Sequence, residues 1–252
     1  MQLLVSVRAG EEVAAALAGG ADIIDAKEPA RGSLGPVSPA VLQAISAQVP
    51  ASVPLSAALG DFTAPDAVRR AVAGAHLRGR RGPTYVKLGF AGEPSVAGVS
   101  SLVSAALDAA AATAAPPIVV PVAYADHGSA GSPAADVLLP VAIAAGARAF
   151  LVDTHMKDGR GLLESMGFER LRALSAEARS AGLLFAIAGS LDLAALDRVA
   201  TIADVIGVRG AACRGGRGGS VDAGLVRRLR ERLRGSPATL SAAGWARSPR
   251  PL

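Results

Sequence analysis

GGADIIDAKEPARGSLG, residues 19–35, is the stretch that decides the fold. A glycine pair closes one element, as glycines do at helix C-termini. The run Ile23–Ala26 then reads as a short strand, rich in β-branched residues, and it ends on Lys27. A Pro- and Gly-containing loop follows. The stretch AGARAFLVDTHMKDGRGLL, residues 145–163, repeats the order: Gly-Ala, an apolar strand ending in Asp, a following Lys and a Gly-containing loop. The two registers differ by two residues, Asp25-x-Lys27 against Asp153-xxx-Lys157.

Working outward, apolar strand-like runs alternate with Ala-rich helical stretches at a period of about 30 residues. Strands are expected at 2–7, 22–27, 53–58, 84–89, 117–124, 149–154, 184–189 and 204–209. Helices are expected near 10–18, 38–48, 64–78, 97–114, 133–145, 166–181, 191–199 and 221–234. Ser38 before Pro39 and Ser220 before VDAGLVRRL read as N-caps, and Gly19-Gly20, Gly146 and Gly182 as helix stops. Eight βα units in 252 residues predict an α/β protein with a single closed (β/α)8 TIM barrel over residues 1–234. An open doubly wound sheet is the weaker option, since no G-x-G-x-x-G follows the first strand. The two repeated motifs then stand on strands 2 and 6, half a barrel apart.

Half the residues are hydrophobic and few are aromatic, so the core must come from Ala, Val, Leu and Ile. One cysteine, Cys213, excludes an internal disulfide and a thiolate metal cluster and suits the cytoplasm. No signal peptide is read at the N-terminus, where Arg8 interrupts a short apolar run. The uncharged stretch between Asp108 and Asp126 contains three prolines and falls short of a membrane helix. Residues 226–252 hold seven Arg and one Glu, a balance of +6 against +5 for the whole chain. The body is therefore near neutral. The basic excess sits in a last helix and in a Pro-, Ser- and Ala-rich tail, 235–252, which reads as mobile and carries Trp245. That is not the broad basic face of a nucleic-acid binder. The partners expected are a small phosphorylated molecule and further copies of the chain, with no nucleic acid and no membrane.

Of 26 basic residues only three are lysines: Lys27, Lys87 and Lys157. Arginine stays charged at useful pH, whereas a lysine can shed its proton and attack a carbonyl. Lys27 ends strand 2, Lys87 lies near the end of strand 4 and Lys157 follows strand 6. Even-numbered strands share interior layers, and barrel sites lie at the strands' C-terminal ends, so the three should converge on one mouth. Crowded ammonium groups and partial burial both favour a neutral amine. Asp25, two residues before Lys27, projects to the same side of its strand, and Asp153 ends strand 6. Each can serve as proton shuttle or as salt-bridge anchor. Glycine-containing turns after strands 7 and 8 suit a phosphate, with Gly189, Ser190, Gly210 and Ala211 as ligands and Arg209 or Arg214 nearby. His155 lies beside the proposed site. His127 lacks metal-ligand spacing, as His155 does, and His76 reads as a surface residue. No cofactor and no metal are expected. These residues describe a Schiff-base barrel acting on a phosphorylated carbonyl compound, the chemistry of class I aldolases.

The chain also resembles the (5-formylfuran-3-yl)methyl phosphate synthase family. LLVSV near the N-terminus, GGADIIDAKEPARGSLG at 19–35, YVKLGF at 85–90, LVDTHMKDGRGLL at 151–163, AGSL at 188–191 and GVRGAAC at 207–213 carry the resemblance. It covers residues 1–234 and leaves the tail without a counterpart. It implies a lyase that condenses two molecules of glyceraldehyde 3-phosphate into 4-(hydroxymethyl)-2-furancarboxaldehyde phosphate, with loss of phosphate and water, in methanofuran-type cofactor biosynthesis. It further implies Lys27 as the Schiff-base nucleophile and Lys87 as the group that takes a proton, with Lys157, Asp25 and Asp153 in one polar cluster. The rival expectations are another Schiff-base aldolase or a phosphosugar isomerase on the same barrel and, more remotely, a non-catalytic binder using the basic tail.

Overall fold

A computed structural model describes residues 1–75, 80 and 82–235. Eight parallel strands close into a barrel in sequence order: β1 Gln2–Val7, β2 Ile23–Ala26, β3 Leu55–Asp61, β4 Thr84–Gly89, β5 Ile118–Tyr124, β6 Ala149–Asp153, β7 Leu184–Ile187 and β8 Val205–Val208. β1 completes the ring by pairing β8, with Gln2 opposite Val205 and Val5 opposite Val208. The expected strands are all present, most of them trimmed by a residue or two. β3 instead runs on to Asp61, across a register shift between Ala58 and Asp61. The principal helices alternate with the strands: α1 Val13–Ala18, α2 Pro39–Gln48, α3 Pro65–Gly74, α4 Val96–Ala111, α5 His127–Ala130, α6 Ala135–Ala144, α7 Leu162–Met166, α8 Phe168–Ser180, α9 Leu193–Val199 and α10 Ala223–Arg234. The one-turn helices α5 and α7 lie in the loops after β5 and β6 and add to the eight expected.

Strand alternation separates two cores. Leu3, Val5 and Val7 of β1, Ile24 and Ala26 of β2 and Val86 and Leu88 of β4 face outward onto the helices. Their alternates point into the barrel. There Tyr85, Val120, Val122, Tyr124 and Leu151 pack with Leu34, which drops in from the loop after β2. That loop closes on itself, because the Glu28 N–H donates to the Gly35 carbonyl at 2.9 Å. Leu34 and Tyr124 both pack against Gly89 at the end of β4.

Helix capping follows the sequence with one correction. Ser38 accepts from the Val41 N–H, as a cap should. Ser220 does not cap α10. It pairs with Arg214 in a two-stranded ribbon, β9 Cys213–Arg214 and β10 Ser220–Val221, and Asp222 caps the helix by accepting from the Leu225 N–H. Gly20, Gly146 and Gly182 follow their helices with positive φ, the conformation expected of helix-stopping glycines. His76, the last turn expected of the third helix, and the tail with Trp245 lie outside the described residues. No described helix is long and apolar enough to cross a membrane.

Candidate active site

A cavity of about 210 Å³ opens at the C-terminal end of the barrel and reaches down among the inward side chains. Its floor is apolar, with Leu4, Ile23, Val120 and Val205. Lys27, Lys87, Asp153 and Lys157 form its upper polar wall. The three lysines, from the ends of alternate strands, thus meet at one mouth.

They meet in three different states. Lys87, only 5 % exposed, sits 2.8 Å from Asp25 Oδ1 across the barrel interior. Lys157 is held three ways: Nζ donates to Asp153 Oδ1 at 2.9 Å, to the Thr154 carbonyl at 2.7 Å and to Thr154 Oγ1 at 2.9 Å. These three bonds exhaust its donors. Lys27, 6 % exposed, makes no side-chain hydrogen bond and no ion pair among the described residues. Burial is the main influence on it and lowers its pKa from 10.5 to about 8. Asp153 works against that shift, Lys87 with it, Asp25 against and Lys157 with.

The two carboxylates differ as well. Asp25 is fully buried and does not line the cavity. Ser6 Oγ donates to its Oδ2 at 2.8 Å. Burial alone would raise its pKa, but the charges of Lys87 and Lys27 overcome this and hold it below the usual carboxylate range. Asp153 lines the cavity, and against the same burial Lys157 and Lys27 bring it down to about 2.

The loops after β7 and β8 supply the backbone expected of a phosphate cradle. Gly189, Ser190, Gly210 and Ala211 all line the cavity. Gly189 has φ +115°, and a Cβ there would meet the Thr154 nitrogen at 3.0 Å and Asp153 Oδ1 at 3.3 Å. Only glycine fits both the conformation and the space. Ser190, with φ +48°, is the one non-glycine described in the left-handed region, a strained conformation of the kind that clusters at ligand sites.

Three expected ligands are placed differently. Arg209 touches the cavity, but its guanidinium is turned outward into a buried ion pair with Glu12, at 2.8 and 3.1 Å. It also donates to the carbonyls of Ser6, Arg217 and Gly219. All five N–H donors are committed, and none remains for a ligand. Arg214 lies exposed on β9, paired with Asp222. His155 stands outside the cavity lining: its backbone N–H donates to Asp126 Oδ1 at 2.6 Å, and its ring packs edge-on against Tyr124. Ser6, Ser56 and Arg217 line the cavity without having been singled out in the sequence. A lone serine inside an apolar strand, as at Ser6 and Ser56, was the available signal for two of them. Among the described residues no cluster of three His, Cys, Asp or Glu side chains could hold a metal ion.

Comparison with known proteins gives a consistent set of relatives. The family model described as 4-HFC-P synthase matches residues 3–230. The (5-formylfuran-3-yl)methyl phosphate synthase of Methanothermobacter thermautotrophicus is 37% identical over 241 residues, covering 92% of this chain and 99% of that protein. A putative (5-formylfuran-3-yl)methyl phosphate synthase of Streptomyces griseus is 38% identical over 222 residues, covering 86% of this chain and 87% of its own length. Among solved structures, N-(5'-phosphoribosyl)anthranilate isomerase from Pyrococcus furiosus superposes with a TM-score of 0.61 at 12% identity, covering 93% of this chain and 98% of that one. A 2,3-dimethylmalate lyase superposes with a TM-score of 0.60 at 15% identity, covering 82% and 75%. At such identities the solved structures speak to the barrel alone.

Proposed function

We propose that this chain, which belongs to the (5-formylfuran-3-yl)methyl phosphate synthase family, joins two molecules of glyceraldehyde 3-phosphate into a furan aldehyde phosphate through a Schiff base on Lys27. The observation that carries the reading is the uncommitted amine: of three converging lysines, two are occupied by carboxylates and one is free and desolvated. A drop from 10.5 to about 8 raises the neutral fraction of that amine at pH 7 by roughly 300-fold.

The roles follow from position. Lys27 Nζ adds to the aldehyde carbon, and loss of water gives an iminium. Asp153, its largest electrostatic counterweight, stabilises that fixed positive charge. The iminium acidifies the adjacent C–H. Lys87 lines the cavity and moves that proton, while Asp25, walled off behind it, holds it in place. Lys157, bound through all its donors, fixes Asp153. Elimination of phosphate, joining to the second triose phosphate and loss of water complete the furan. Backbone N–H groups at Gly189, Ser190, Gly210 and Ala211 hold the phosphate that is retained. This chemistry serves the synthesis of a methanofuran-type cofactor in the cytoplasm and calls on neither metal nor organic cofactor.

Borohydride trapping with glyceraldehyde 3-phosphate, followed by peptide mapping, tests the proposal. With three lysines in the chain the adduct is unambiguous. The expected result is modification of Lys27. An adduct on Lys87 or Lys157 alone, or none under turnover conditions, overturns it.

A further inference from the structure

The cradle at the ends of β7 and β8 lacks the charge assigned to it, because Arg209 is spent on Glu12 and three carbonyls. A phosphate monoester carries close to two negative charges at neutral pH, and backbone N–H groups supply only partial ones. Another cation stands at that wall. Arg217 comes from the turn between β9 and β10, lines the cavity and is half-buried. Its carbonyl accepts from Arg209 Nε at 3.0 Å, and its nitrogen lies close to Gly210, where a Cβ would stand 3.6 Å away. Arg217 therefore stands next to the cradle residue Gly210. It has no ion-pair partner among the described residues, and Asp153 is near enough to influence its charge.

The guanidinium is only partly used. Nη2 donates to the Gly32 carbonyl at 2.6 Å and to the Pro29 carbonyl at 3.3 Å. Among the described residues, Nε and Nη1 carry no hydrogen bond. One edge of the fork thus straps the loop that follows Lys27, and the rest remains available at the cavity wall. Planar guanidinium groups bind phosphate oxygens in pairs.

We infer that Arg217 is the charged phosphate ligand of this site, gripping the phosphate monoester of the substrate while its other edge holds the Pro29–Gly32 carbonyls over Lys27. Phosphate binding and closure of the 28–35 loop are then coupled through one side chain. A substrate without phosphate gains nothing from Arg217.

The inference rests on the Schiff-base reading but can be tested apart from it. The variants are Arg217→Ala and Arg217→Gln; the glutamine keeps a donor for the Gly32 carbonyl and removes the charge. Two readouts are compared with the unaltered protein: borohydride trapping with glyceraldehyde 3-phosphate against unphosphorylated glyceraldehyde, and the rise in Tm produced by inorganic phosphate. Both variants are expected to lose roughly 10- to 100-fold more in trapping of the phosphorylated aldehyde than in trapping of glyceraldehyde, and to lose the phosphate-induced rise in Tm. An equal loss with both aldehydes would make Arg217 a loop strap only, and an undiminished phosphate preference would remove it from the site; either result overturns the inference. If the unaltered protein traps neither aldehyde yet is stabilised by inorganic phosphate in an Arg217-dependent way, the Schiff-base reading fails and the phosphate ligand stands.

Discussion

Lys27 and Lys87 are the same residue type in the same barrel, both more than nine-tenths buried, yet they have opposite surroundings. Lys87 meets Asp25 at 2.8 Å, and Ser6 completes the carboxylate's shell. Lys27 comes two residues after Asp25 and does not touch it within ion-pair distance. The strand's alternation sends both side chains inward, but the carboxylate turns to β1 and β4 and leaves its sequence neighbour alone. Strand 6 shows the other solution: with three residues between them, Asp153 and Lys157 close on each other. A difference of two residues in spacing thus separates a paired lysine from a desolvated one. Burial with a partner keeps a lysine within an ion pair, and burial without one leaves an amine free to attack, at a cost in stability.

The largest effect should come from removing the unpartnered amine. Lys27→Met is expected to lower turnover by more than roughly a thousandfold, measured as furan product formed. Next is the paired lysine. Lys87→Met leaves Asp25 buried without its cation and should cost about 3–5 kcal/mol in chemical denaturation. Adding Asp25→Asn should recover part of that loss, and no recovery would refute the pairing. The same Lys→Met change at position 27 should act in reverse, stabilising the fold by up to about 3 kcal/mol at pH 7. The sign follows from proton counting. The unfolded amine keeps its proton up to pH 10.5, whereas the folded one gives it up above about 8. The penalty is full below pH 8 and fades as the pH rises toward 10.5. Denaturation of Lys27→Met and the unaltered protein at pH 7 and pH 10 should show their difference shrinking; a constant difference would remove the lysine's titration as the cause.

These contrasts mark what the sequence could and could not reveal. Eight apolar runs at a regular spacing, punctuated by glycines, made the barrel legible, because strand and helix periods are local properties. Lysine scarcity and strand-end placement made the convergence legible, because the barrel sends alternate strands to one mouth. Pairing was not legible. Ser6, Asp25 and Lys87 belong to three different strands, and Arg209 meets a glutamate 197 residues away, so a sequence window around either residue holds no trace of its partner. Arg217 was hidden in a different way: within RGGRGGS it looks like part of a flexible glycine loop, and only the β9–β10 ribbon turns it toward the cavity. Ser220 was misread because two cap-forming residues precede α10, and the ribbon claims the first of them.

The smallest effect expected is also the finest test of the comparison between the two strand ends. After burial, Asp153 has the strongest influence on Lys27 and raises its pKa; Asp25 acts in the same direction but ranks behind the opposing charge of Lys87. Neutralising either carboxylate should therefore lower the Lys27 pKa and move the rising limb of borohydride trapping toward acid pH. Asp153→Asn should move it further than Asp25→Asn. Position of the limb is the informative readout, since both variants also disturb a bound lysine and lower the amplitude. The displaced partners reinforce the sign: Lys157 without Asp153, or Lys87 without Asp25, presents a less balanced positive charge to the amine. A limb that moves toward alkaline pH in Asp153→Asn would mean that the carboxylate on strand 6 does not face the amine on strand 2. The two ends of the repeated motif would then act as separate ion pairs, with no shared field across the mouth.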